Sequence, residues 1–164
     1  MPAIRLTNNI DVRMVFMPHF GLVDEKKLTA EEAALLRARL HIRSGRRILK
    51  EGNLELALSI LYDALGHGLK YYKIKHELVV NIKEADDELH KNELAIAREL
   101  RQSGVLADLD FIDRFCALIN QALDGVVAEL NPDEFLASLD AVMIRLGVMP
   151  FAEEELPPEE PGMS

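Results

Sequence analysis

Tryptophan is absent from this 164-residue chain, cysteine occurs once, and aromatic residues make up 5% of it. Each scarcity excludes something. A lone cysteine, Cys116, has no intramolecular partner for a disulfide, and it lies in the apolar run Phe111-Ile112-Asp113-Arg114-Phe115-Cys116-Ala117-Leu118-Ile119, which marks a buried structural thiol rather than a nucleophile. No apolar run approaches the roughly 20 residues that a membrane helix needs, and no basic segment leads into a hydrophobic stretch with a small-residue cleavage site. The expectation is a cytoplasmic protein without membrane contact. Gly-rich phosphate loops, Ser-x-x-Lys, Cys-x-x-Cys and Gly-x-Ser-x-Gly are missing too.

Positive charge is also in short supply. The formal net charge is −9, but five glutamates fall in the last 13 residues, and without them it would be −4. Such a balance argues against a general nucleic-acid coat, whose affinity comes from neutralising phosphates, and leaves room for a local basic site.

What is present is helical periodicity in a chain of single-domain length. Residues 1–28 read as an extended N-terminal arm or short strand: Ile10 to Phe16 partly alternates, with Pro18 and Gly21 as punctuation. Residues 29–151 read as a bundle of four to five helices, up and down, and 152–164, rich in Pro and Glu, as a disordered acidic tail. The fold class is therefore all-α.

The first helix opens at Thr29, where Glu32 completes a capping box, and closes at Gly52. Ala34, Leu35, Ala38, Ile42, Ile48 and Leu49 share one face, and Arg39, Arg43, Arg46, Arg47 and Lys50 share another. Leu36 and Leu40 interrupt the charged side, so this helix is expected to touch more than one neighbour. Asn53 caps the second helix, which runs to about Tyr72 and carries Leu54, Ala57, Leu58, Ile60, Leu61, Ala64, Leu65 and Leu69. So wide an apolar face belongs to a central helix, and the Gly52-Asn53 joint allows little but an antiparallel hairpin.

Beyond Val79-Val80-Ile82, a third helix begins at Asp86 or Asp87, bears Leu89, Ile96 and Leu100 and ends at Gly104. Asp110 is expected to cap a fourth with a continuous stripe from Phe111 through Val126 to Leu130. Asn131-Pro132-Asp133-Glu134 starts a fifth that ends near Gly147.

The segment from Arg46 to Lys70, with its Gly52-Asn53 turn and an alanine- and tyrosine-bearing helix behind it, resembles the first hairpin of HEPN domains. That resemblance covers about 25 residues, with a compatible helical pattern over perhaps 100 more. It implies an up-and-down bundle, frequent homodimerisation, and RNA- or nucleotide-linked roles such as toxin, antitoxin partner or defence component. HEPN ribonucleases carry Arg-x4-6-His near the start of a late helix; here no histidine follows His90. Arg13 and His19 satisfy the spacing, but they precede the hairpin and enclose Pro18. The sequence thus points to a HEPN-like interaction or accessory protein, with no cofactor, that works as a homo-oligomer on a protein, RNA or nucleotide partner. An atypical HEPN ribonuclease is the first alternative. A tetratricopeptide-like adaptor is the second, since Gly52 to Leu65 suits one repeat, but no second copy follows at the 34-residue period.

Candidate sites each have a plain counterpart. Asp63 and His67 are one turn apart, beside Ser59 and Lys70, and could form an oriented base; an ordinary intrahelical hydrogen-bonded pair is the preferred reading, since no nucleophile or oxyanion donor accompanies them. Asp87, His90 and Glu93 share a face like half of a di-iron site, but no second motif completes it, so no metal is expected. Tyr62, Tyr71 and Tyr72 suit the rim of a core. The stripe Arg39, Arg43, Arg46, Arg47 and Lys50 is the most concrete feature. A turn-spaced row of guanidinium groups can follow a phosphate backbone, grip an acidic partner, or be balanced by acids such as Glu51 and the tail.

Overall fold

The computed structural model describes residues 22–79, 91–106, 109–125 and 130–159. Among them are five α-helices in an up-and-down bundle: α1 (Ala30–Lys50), α2 (Leu54–Lys75), α3 (Lys91–Gln102), α4 (Leu109–Leu123) and α5 (Pro132–Arg145). A single 3-10 turn follows at Glu153–Glu155. None of the described helices is long and apolar enough to cross a membrane. The expected strand at Ile10–Phe16, the Arg13/His19 pair and the start of the third helix at Asp86 or Asp87 lie outside the described residues.

Local chemistry fixes the hairpin. The Thr29 hydroxyl accepts from the Glu32 backbone N–H at 3.1 Å, and the Glu32 carboxylate accepts from the Thr29 N–H at 2.9 Å. At the other end Gly52 takes φ +89°. Its N–H reaches the Leu49 carbonyl at 3.1 Å, and the Asn53 N–H reaches back to Ile48 at 3.3 Å, closing α1 in a Schellman motif. Asn53 also opens α2, because its side chain accepts from the Leu56 N–H. One residue ends the first rod and starts the second, so they must run antiparallel.

The core follows the predicted faces and adds to them. Ala57, Leu58, Ile60, Leu61, Ala64, Leu65 and Leu69 of α2 are buried, and α2 contacts α1, α3 and α4, which makes it the central helix. On α1, Ala34, Ala38, Ile42, Ile48 and Leu49 are buried as expected, but so are Ala33, Leu40, His41, Ser44 and Gly45. Leu40, which broke the charged side of the pattern, has no exposure. From α3, Ile96 and Leu100 enter the core.

Four of the scarce aromatics gather in one place. Phe115 packs edge-on against Phe135 at 4.9 Å between ring centres and against Tyr62 at 5.6 Å, and Phe111 lies against both phenylalanines. This cluster ties α2, α4 and α5 together.

Two expectations for the fourth helix need correction. Asp110 lies inside the first turn of α4 rather than before it. The helix stops at Leu123, since Gly125 adopts φ +72° and its N–H turns back to Ala122 at 3.1 Å. Leu130 is therefore not on the same helical stripe; it precedes α5 and lies partly buried against the core. The fifth helix starts as predicted, with Asn131 accepting from the N–H groups of Asp133 and Glu134 and Pro132 in the first turn.

The boundary expected at 151 falls within a segment that packs. Residues 146–159 run back along α1, with Leu146, Val148 and Leu156 buried. Within 152–159, the described part of the expected tail, Leu156 is the buried apolar anchor that offsets some of the ordering cost.

Candidate functional site

The basic stripe is where the structure concentrates its polar contacts. It is turned toward the chain's own later residues. Arg39 donates from Nε to the Val148 carbonyl at 2.9 Å, and its guanidinium stands 5.5 Å from the centre of the Phe151 ring. Arg46 pairs with Asp140 of α5 at 2.6 Å. Arg47 bonds Glu51, one turn on, at 3.0 Å and meets Glu159 at 3.1 Å. Arg43 donates from Nη1 to the Pro157 carbonyl at 2.7 Å. Ser44, buried between these arginines, donates to Glu159 at 3.1 Å. Lys50 is exposed.

Of the five stripe cations, four therefore hold α5 and the segment after it. Charge-assisted bonds of this kind are among the strong ones, and the partly buried setting screens them little. Composition had offered the tail only in general terms as a counter-charge. The specific acceptors, Asp140, Pro157 and Glu159, sit 94 to 115 positions away from the residues that bind them, a separation that no local pattern encodes.

Of Asp63 and His67, the histidine meets a side chain of the facing helix. His67 lies against His41 of α1, with ring centres 4.8 Å apart and planes tilted by 52°. His41 is 2% exposed. Its Nδ1 lies 2.8 Å from the Arg37 carbonyl, and since a carbonyl only accepts, this nitrogen carries the proton. Asp63 is exposed, and both it and His67 are engaged by other groups. The only earlier sign of His41 was its place between Ala38 and Ile42 on the apolar arc of α1.

Among the described residues, no group of three or more His, Cys, Asp or Glu could hold a metal ion. Asp87 and His90 lie outside the described residues. Tyr71 is buried and bonded through its hydroxyl to Lys75 at 3.2 Å, while Tyr62 and Tyr72 lie at the core's edge. Cys116 stands 3.9 Å from the Tyr62 hydroxyl. Burial pushes its thiol above the ordinary range, and the nearby Asp113 charge adds to that, against the opposing hydrogen bond from Tyr62.

A separate open groove of about 640 Å³ lies between α4 and α5, lined by Phe111, Phe115, Leu118, Leu130 and Phe135, with Arg114 at its edge.

The fold and site define an all-α bundle whose principal cationic face is closed by its own chain. No family model, no curated protein and no solved structure matches this chain.

Proposed function

We infer that this chain is a helical interaction module of HEPN-like type that works on a protein partner, with a homodimer as its assembly. The observation that carries the reading is the occupancy of the α1 stripe: its arginines bind carboxylates and carbonyls of a proline-containing segment that lies outside the α-helices. That is the chemistry of peptide recognition. A phosphate-following surface keeps its cations available to the solvent. The net charge of −9 adds to the barrier against RNA.

The ribonuclease alternative keeps Asp63 and His67 as its candidates, and His67 meets the buried His41 at the seam of α1 and α2. One assay separates the two readings. Purified protein is incubated with labelled single-stranded RNA at about 50 mM salt, where phosphate contacts are strongest. The interaction reading expects neither retention nor cleavage. Cleavage that disappears in His67→Ala, or binding that disappears when Arg43 and Arg46 are reversed in charge, overturns it.

A further inference from the structure

Arg43 is incompletely satisfied. Its Nη1 has the Pro157 carbonyl, but Nε and Nη2 are buried with no hydrogen-bond partner among the described residues. The nearest Glu159 oxygen is 3.8 Å from Nε, beyond hydrogen-bonding reach. That carboxylate is committed elsewhere, to Arg47 at 3.1 Å and Ser44 at 3.1 Å. Nε and Nη2 form one edge of the guanidinium plane, the edge on which a carboxylate is held by two parallel bonds. The site thus presents a buried two-donor edge that Glu159 meets only as a long ion pair, without a hydrogen bond to either nitrogen.

The resident segment shows what the rest of the site recognises. In Leu156-Pro157-Pro158-Glu159, Leu156 is buried, Pro157 offers its carbonyl to Arg43, and Glu159 reaches Ser44 and Arg47. The three glutamates just before it, Glu153 to Glu155, are exposed. Attachment is therefore by three points, in the order apolar, proline, x, acid.

We propose that the arginine face of α1 is a receptor for an acidic peptide of another protein with this pattern and one further acid for the open edge of Arg43. Leu156–Glu159 is the substitute that fills it in cis. The inference rests on the protein-partner reading above and names the partner's chemistry. A tethered segment has an effective concentration on the order of millimolar, so the outside ligand must be the better match to displace it. The unmet Arg43 fork is where that advantage arises. Loss of Glu159's charge releases the Ser44 and Arg47 end of the face.

The test uses the full-length chain and its Glu159→Lys variant, in which the resident segment is repelled by Arg43 and Arg47. Fluorescence anisotropy follows a labelled synthetic peptide with the sequence of residues 152–164, and a control peptide in which the acids at 159 and 160 are glutamine. The expected result is about tenfold tighter binding of the acidic peptide by Glu159→Lys than by the native chain, with the control peptide at least tenfold weaker. Adding Arg47→Gln, or Arg43→Gln where circular dichroism shows the fold intact, abolishes the gain.

Equal affinity for both peptides, or a gain that survives loss of the arginines, overturns the proposal. So does labelled RNA binding to Glu159→Lys in place of the peptide. Self-association of the native chain that Glu159→Lys removes would make a second copy's tail the occupant, and overturns it as well. Failure here, with RNA still neither bound nor cut by the native chain, leaves the interaction reading standing. RNA binding or cleavage by the native chain defeats that reading itself.

Discussion

Gly45 of α1 lies so near Leu61 of α2 that a Cβ at position 45 would stand 2.4 Å from Leu61 Cδ2 and 2.6 Å from its Cγ. Leu61 has no exposure and so no free space into which to swing. In an open helix, Gly→Ala gains about 1 kcal/mol of propensity; here the two rods are held in contact by the missing side chain. Gly45→Ala is expected to lower stability by about 1–3 kcal/mol in urea unfolding. Leu61→Ala alone should cost about 2–5 kcal/mol. The double variant should lose less than the sum, because the new methyl enters the vacated volume. Strict additivity would show that the close approach does not limit packing.

Glu77 adopts φ +50° where α2 ends, and the Leu78 N–H reaches back to Lys73 at 3.0 Å. This is the position that glycine takes at 52, 104 and 147. A left-handed conformation costs an L-residue about 1 kcal/mol or more, which glycine avoids. Glu77→Gly should therefore raise the unfolding free energy by about 1 kcal/mol, while Glu77→Ala, with its Cβ retained, should not.

Asn53 serves two helices, and its side chain is the sole cap of α2 seen among the described residues. Asn53→Ala is expected to cost about 1 kcal/mol, and Asn53→Asp only a few tenths, since aspartate accepts the same bond. The thermal midpoint of the two variants, measured side by side, decides it.

Cys116 titrates above the ordinary thiol range because burial, and then Asp113, disfavour the thiolate. Its alkylation by iodoacetamide should be slow at neutral pH, and the rate should rise at higher pH than in the urea-unfolded chain. Tyr62→Phe removes the hydrogen bond that favours the thiolate, so it should move the profile further up. By linkage, the folded state gains from the protonated thiol at low pH, and that contribution is lost as pH rises through the raised folded-state pKa. A profile matching that of the unfolded chain would show that the packing of α4 leaves the thiol unaffected.

The hairpin was legible because its signals are local. Thr29 and Glu32, Gly52 and Asn53, and Asn131 and Pro132 specify helix ends through bonds spanning two to five residues, and the apolar arcs of α1 and α2 fix which sides meet. The fourth helix was read too long because Gly125 interrupts an apolar pattern that continues on paper. His41 and Gly45 are not legible in the sequence, because their roles depend on which residue of the facing helix lies opposite, and spacing within one helix does not encode that. The stripe was visible as charge, whereas its occupant was not. Glu159 and Asp140 owe their places to the return of the chain, and the run of Pro and Glu that contains Glu159 has the composition of an unstructured end.

That return has a temporal side. Arg39, Arg43 and Ser44 find their acceptors 109 to 115 positions later, so α1 emerges during synthesis with its cationic flank bare. Arg46 gains its acceptor with residue 140 and Arg39 with residue 148, and the covering is complete only when residue 159 has been made. Through that interval Arg39, Arg43 and Ser44 of the nascent chain face their surroundings without the acceptors that later cover them.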